Sequence, residues 1–186
     1  MAKMKDYSGP YNHDLAFSDF SKDFLIDLMH SWQGAYMRMS RIWYESVMEK
    51  FGVEAADNCN LEVWTKVGEK IVPKFAKVGK FSLDTIPSGL KAIQLAPDGH
   101  TDGEFFDGEV EIKSDKHVIT TTTKCRALEY LERVAPERIE FFCHVLEQRV
   151  MQAYFNNPKV SVTPIKLPPR KSPDEVCCRW NIELEA

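Results

Sequence analysis

The chain has 186 residues, with 24 basic and 28 acidic side chains and a formal net charge of −4. This length is typical of one domain that buries enough apolar surface to fold without disulfides or metal. The acidic balance, without a basic stripe between aromatic residues, argues against a nucleic-acid partner. No apolar run reaches the roughly 20 residues of a membrane span, and the N-terminus lacks the apolar core of a signal peptide. We therefore expect a soluble cytoplasmic protein with no membrane partner.

The first half of the sequence has the pattern of amphipathic helices. Apolar residues recur at helical spacing through residues 21–51, where Ser21 is a candidate N-cap and Gly52 a stop signal. A second helix is predicted from about Asn60. Pro73 should end or kink this helix, because proline has no backbone N–H to donate.

The second half is predicted to be mixed. The last strand has the clearest alternation, with Cys178, Trp180 and Ile182 on one face. The sequence thus predicts an α+β fold, in which a helical N-terminal half packs with a C-terminal antiparallel sheet and one long helix. Residues 1–18 are predicted to form a flexible tail, and residues 19–186 a single domain. Strands are expected at residues 105–113, 118–124, 160–167 and 176–184, and helices at residues 88–95, 126–133 and 136–155.

Part of the helical half resembles known sequences. The stretch FGVEAA at residues 51–56 is followed by Val63, Trp64 and then Gly68. This order resembles the helical half of a group of small prokaryotic proteins of unknown function.

A second resemblance lies in the later half. Cys125 after a strand, Cys143 in a helix and the closing CRWNI strand at residues 178–182 resemble the L-2-amino-thiazoline-4-carboxylate hydrolase-like proteins. They are similar, more remotely, to the 4-vinyl reductase-like ligand-binding domains. The resemblance implies an α+β fold and, for the hydrolases, water-driven opening of a small ring containing sulfur and nitrogen. Because His144 follows Cys143 here, a carboxylate required near that cysteine would have to be Glu147.

Cys125, Cys143 and Cys178 are candidate ligands of zinc or iron. Thiolates bind zinc strongly, and a catalytic zinc commonly has three protein ligands and one position open for water. If the last strand packs on the long helix, Cys143 and Cys178 approach each other. Glu147, one helical turn after Cys143, is a candidate fourth ligand or general base. The alternative is that these are small buried core residues, since no paired cysteine or histidine spacing typical of metal sites is present.

Cys125 also supports a second hypothesis that needs no metal. It precedes a predicted helix and lies between Lys124 and Arg126, and both features favour a nucleophilic thiolate. Cys125 and Glu147 are therefore the candidate catalytic residues. The alternative is a cysteine at a helix start beside two solvated charges.

The candidate lining of a ligand pocket consists of Trp43, Trp64, Trp180 and His144, although the three tryptophans also suit a protein core. The predicted function is a small-molecule-binding protein of hydrolase-like type that cleaves a non-peptide C–N or C–S bond through a metal or a thiolate. The alternatives are a non-catalytic ligand-binding or sensory module, and a homodimeric structural protein that pairs through its first helix.

Overall fold

The structure, a computed structural model, describes residues 3–99 and 105–185. The predicted α+β architecture is confirmed: the helical N-terminal half precedes an antiparallel sheet. None of the helices in the described ranges combines the length and hydrophobicity that a membrane crossing requires. In chain order the elements are α1 (Lys22–Phe51), α2 (Val53–Gly79), α3 (Ile86–Leu95), β1 (Phe106–Ser114), β2 (His117–Cys125), α4 (Arg126–Val134), a π-helix (Glu140–Leu146), α5 (Glu147–Phe155), β3 (Val160–Lys166) and β4 (Cys178–Leu184).

The two long N-terminal helices are joined by Gly52 alone and pack on each other. Ser21 caps α1 as predicted, because its side chain accepts the backbone N–H of Phe24 at 3.2 Å. Helix α2 begins earlier than predicted, directly after Gly52, and continues through Pro73 to Gly79. Val72 is fully buried beside the proline. Tertiary packing of this kind offsets the hydrogen bond that a proline inside a helix removes.

The four strands form one antiparallel sheet in the order β1-β2-β4-β3. The predicted alternation of β4 is confirmed, since Trp180 and Ile182 are buried and belong to one core cluster with Val118 of β2. Strand β3 lies at an edge and its pairing is irregular after Pro164. An edge position tolerates this proline, because no ladder hydrogen bond is required on the outer side.

The predicted long helix at residues 136–155 is not one regular helix, which corrects that part of the prediction. It is divided into a 3₁₀ turn at Pro136–Arg138, the π-helix at Glu140–Leu146 and α5. Hydrophobic spacing over seven residues does not distinguish bonding between residues i and i+4 from bonding between i and i+5. The sequence pattern therefore predicted a helix but not its type.

The predicted N-terminal tail is hydrogen-bonded to the start of the domain. Met4 forms an isolated parallel bridge with Phe20, and the N–H of Ser21 donates to the Met4 carbonyl at 2.7 Å. The Phe20 ring stacks on Phe24 at a centroid distance of 4.2 Å. The flexible tail at residues 1–18 and the single domain at residues 19–186 stay predictions. Residues 1–2 and 186 lie outside the described part of the chain.

Helix α5 packs closely on α2. A Cβ atom at Gly68 would lie 3.0 Å from both the backbone carbonyl carbon and the Cβ of Ala153. The next two residues of α5, Tyr154 and Phe155, are buried in two different core clusters. The small residue at position 68 therefore allows α5 to approach closely enough to bury both rings.

An ion pair also links the N-terminal helices to the segment before α5. Arg138 Nη2 lies 2.7 Å from Asp57 Oδ1, and the side chains are only 14% and 17% exposed. The guanidinium carbon is 4.0 Å from the ring centroid of Tyr44 and 4.6 Å from that of Phe142. The Tyr44 hydroxyl donates to the same Asp57 oxygen. Asp57 thus neutralises the Arg138 guanidinium, and the two rings lie against it. These contacts hold the start of the π-helix in place.

We expect Gly68→Val to lower the free energy of unfolding by about 2 kcal/mol, because the new side chain overlaps Ala153. Gly34→Ala in α1 is the matched control, since no atom lies within 4 Å of its Cβ position. That control should stabilise the protein by about 0.5 to 1 kcal/mol. Urea unfolding of the two variants measures both effects, and equal changes of one sign would contradict the close packing at Gly68.

Candidate functional site

A cavity of about 540 Å³ lies between α3, the sheet, α4 and the segment formed by the π-helix and α5. This volume is within the range of small-molecule sites. Exposed residues at its rim include Lys91, Asp107 and Glu109. The walls are mainly apolar, and include Leu90, Ile93, Val110, Phe142, Leu146 and Met151.

Glu147 is the acidic group of most interest in the cavity. It is the first residue of α5, and its side chain lines the cavity. Burial, together with the smaller effect of the nearby Asp98 charge, raises the pKa of this carboxyl to about 7. Glu147 is partly accessible although it is deeply surrounded by protein atoms. Its accessible surface therefore faces the interior of the cavity that it lines. No described side chain forms a hydrogen bond or ion pair with it.

Asp98 is the second acidic group in the interior, and it has a partner. The hydroxyl of Tyr154 lies 2.8 Å from each carboxylate oxygen of Asp98. Burial is the main cause that raises the pKa of Asp98, and the tyrosine hydrogen bond opposes it. The two carboxyls therefore differ: Asp98 is held by the protein, whereas Glu147 is not.

Trp180 contributes an unused hydrogen-bond donor. The residue is 1% exposed and lines the cavity, and its indole Nε1 has no acceptor among the described residues. The Cys178 sulfur lies near the indole and interacts with it, but this contact lacks hydrogen-bond geometry. A buried N–H without an acceptor destabilises the fold, so an acceptor in the cavity would be favourable here.

The cavity also brings together the three predicted cysteines. Cys125, Cys143 and Cys178 all line it, as expected if the last strand faces the late helical segment. Burial raises the pKa of Cys143 to about 12 and that of Cys178 to about 11, and it raises the pKa of Cys125 strongly. The Cys125 sulfur also caps α4 by accepting the N–H of Leu128 at 3.3 Å.

These pKa directions bear on the thiolate hypothesis. The adjacency of Lys124 and Arg126 predicts an activated Cys125, but burial is the largest influence on the pKa of this thiol and raises it. The thiols of Cys125, Cys143 and Cys178 are consequently protonated at neutral pH. The expected lowering of the Cys125 pKa is therefore wrong, because the side chain points into protein and away from solvated charges.

The metal hypothesis gains no geometric support. Within residues 3–99 and 105–185, no group of three or more His, Cys, Asp or Glu side chains is arranged to hold a metal ion. Cys125, Cys143 and Cys178 share a cavity but do not form such a group. The predicted zinc or iron site stays a prediction.

The predicted lining residues are only partly brought together. Trp180 lines the cavity, whereas the described side chains of Trp43, Trp64 and His144 do not. Trp43 on α1 is 38% exposed, and Trp64 packs edge-on against Tyr36 at 5.8 Å. The Nε2 of His144 bonds the Pro168 carbonyl at 2.7 Å. Trp43 and Trp64 are absent from the walls because α1 and α2 do not line the cavity, whereas the His144 side chain is directed to the Pro168 carbonyl.

Sequence reasoning missed Asp98 and Tyr154. They are 56 residues apart, and neither belongs to a motif with recognisable spacing. The buried position of Tyr154 on the apolar stripe of α5 was the one available signal, since a buried tyrosine hydroxyl usually has a hydrogen-bond partner.

Comparisons with known proteins do not assign this chain to a family. No family model matches the chain, and neither a curated protein nor a solved structure is significantly similar to it. The resemblance to hydrolase-like proteins stays a prediction.

We expect Glu147→Gln to stabilise the protein at pH 8 by up to about 3 kcal/mol. Between about pH 4.5 and pH 7 the folded state holds a proton that the unfolded chain has released. Stability therefore falls as pH rises through this window and stays low above it, whereas the amide variant has no such loss. Urea unfolding at pH 4.5 and pH 8 measures the difference. The exposed Glu140→Gln is the control, and an equal pH response of both variants would contradict the raised pKa.

We expect iodoacetamide at pH 7 to modify Cys125, Cys143 and Cys178 at least about a hundredfold more slowly than a free cysteine, because few thiolates are present. Mass spectrometry of peptides over a time course gives the rate at each site. Labelling in urea serves as the control and should equalise the five cysteines. Fast modification of Cys125 in the folded protein would contradict this assignment.

Proposed function

We propose that this protein binds a small molecule in the cavity between α3, the sheet and the segment of the π-helix and α5. The observation that carries this proposal is the carboxyl of Glu147, which is buried in a mainly apolar cavity without a partner among the described residues. A buried group of this kind lowers the stability of the folded chain. A ligand that pairs with it removes part of this penalty.

The remaining walls fit the same role. Burial of apolar surface against these side chains favours transfer of a small molecule from water into the cavity, and a few polar groups fix its orientation. Glu147 and the Trp180 indole are two such groups with free hydrogen-bonding capacity. The three neutral thiols add soft, weakly polar surface to the walls.

A second candidate function, hydrolase-like catalysis, is favoured by the pKa of Glu147 near 7. A carboxyl that titrates near neutrality suits a general base. In such a reaction Glu147 takes a proton from water, the water oxygen bonds to an electrophilic carbon, and a non-peptide C–N or C–S bond breaks. The proton then passes to the leaving nitrogen or sulfur. The resemblance to thiazoline hydrolases implies the same class of reaction.

The binding proposal is tested with N-phenyl-1-naphthylamine, a neutral apolar dye that fluoresces on leaving water. We expect one dye to bind per chain. Cys143→Phe on the π-helix and Cys178→Phe on β4 each place a large ring in the cavity and should each weaken binding at least tenfold. Cys59→Phe on α2 is the control, because Cys59 does not line the cavity.

Circular dichroism establishes that each variant is folded. If Cys178→Phe does not fold, Cys178→Met, which adds a smaller side chain, replaces it in the test. Unchanged dye binding by folded cavity-filling variants would overturn the proposal. Mass spectrometry of compounds retained on purified protein separates binding from catalysis. If the protein is a hydrolase, Glu147→Gln retains the intact substrate and wild type releases its hydrolysis products, whose combined mass exceeds that of the substrate by one water. If it is a binding module, wild type and Glu147→Gln retain the same compound.

A further inference from the structure

We propose that the ligand of this cavity is an organic cation, a protonated amine on a largely apolar body, whose ammonium group pairs with the Glu147 carboxylate. This inference rests on the proposed function and specifies its ligand class. It follows from the charges of the lining, from the neighbours of Glu147 and from the aromatic walls.

The lining carries an excess of negative charge. Among its described residues, Asp98, Asp107, Glu109 and Glu147 are acidic, and Lys91 is basic. The Lys91 ammonium lies 5.8 Å from the Phe81 ring centroid and is exposed at the rim. A cleft lined mainly by one sign of charge concentrates ligands of the opposite sign. The field of this lining therefore favours cations over anions.

The described groups around Glu147 supply no positive charge. Its described electrostatic neighbours are a carboxyl, a tyrosine and three thiols, and each is acidic or neutral. The counter-charge for an ionised Glu147 must then come from the cavity contents. These neighbours are Asp98 from the turn after α3, Cys125 at the end of β2, Cys143 of the π-helix, Tyr154 of α5 and Cys178 of β4.

Asp98 is a poorer site for the ammonium group. Both of its carboxylate oxygens already contact the Tyr154 hydroxyl at 2.8 Å. Asp107 accepts a backbone N–H from Gly108 and lies at the exposed rim, where water screens its charge. Glu147 combines burial with free acceptors, and charge-assisted hydrogen bonds are strongest under these conditions.

The aromatic walls also fit an organic cation. Phe142, Tyr154 and Trp180 line the cavity, and the negative faces of aromatic rings attract ammonium groups. The buried indole N–H of Trp180 lacks an acceptor within residues 3–99 and 105–185. An amine that also carries an ether or carbonyl oxygen would satisfy both the carboxylate and this donor.

Binding of an amine should depend on pH with a defined sign. The ammonium group requires ionised Glu147, and free Glu147 is largely protonated below its pKa of about 7. Affinity should therefore rise about tenfold per pH unit between pH 5 and pH 7 and level off above it. It falls again only when the amine loses its own proton.

The test uses three probes of similar size, 3-phenoxypropylamine, 3-phenoxypropan-1-ol and 3-phenoxypropanoate, in calorimetric titrations at pH 7.5. We expect the amine to bind at least tenfold more tightly than the alcohol, and the carboxylate to bind most weakly. Glu147→Gln should abolish the advantage of the amine over the alcohol. Glu140→Gln, an equal charge change on the exposed side of the π-helix, should leave that advantage unchanged.

The outcomes separate this inference from the proposed function. If the three probes displace the naphthylamine dye with equal affinity, or if Glu147→Gln keeps the preference for the amine, the cation inference is overturned and the binding proposal stands. If neither the dye nor any probe binds to wild type, the proposed function itself fails. A preference for the amine that is lost only in Glu147→Gln supports both.

Discussion

Helix α5 lies against α2 at a contact in which Gly68 faces Ala153, with no space for a side chain at position 68. This approach determines where both ends of α5 lie. At its start Glu147 enters the cavity, and near its end Tyr154 reaches Asp98. The helical half of the protein is therefore not a separate lobe beside the site. It is the support that places two acidic groups of the cavity, although α1 and α2 do not line it.

Two buried ionisable sites in the described part of the chain differ in how their charges are neutralised. Arg138 and Asp57 neutralise each other between aromatic rings, so burial of that pair is consistent with a purely structural role. Glu147 has no such neutralisation among the described residues. A fold optimised for stability alone would replace this carboxyl with an apolar or amide side chain. The contrast between these two sites in the same chain is the strongest reason to assign function to the cavity.

Much of the architecture could be predicted from local patterns, whereas the site could be predicted only in part. Alternation in β4 and spacing in the late helix were enough to place Cys143 and Cys178 at one cavity, because both periodicities are local. The π-helix was missed, since hydrophobic spacing does not distinguish it from an α-helix. The pairing of Asp98 with Tyr154 depends on tertiary packing across 56 residues, and no sequence pattern encodes it.

The π-helix at Glu140–Leu146 has an evolutionary consequence for the cavity. A π-helix contains one residue more per hydrogen-bonded turn than an α-helix, so this segment is equivalent to an α-helix with one inserted residue. Loss of a single residue after Cys143 would restore ordinary bonding and turn the helical residues before the deletion by about 100° relative to α5. Cys143 would then leave the wall while Glu147 stayed in place. A one-codon deletion is thus a short genetic route by which a related chain would acquire a differently shaped binding site.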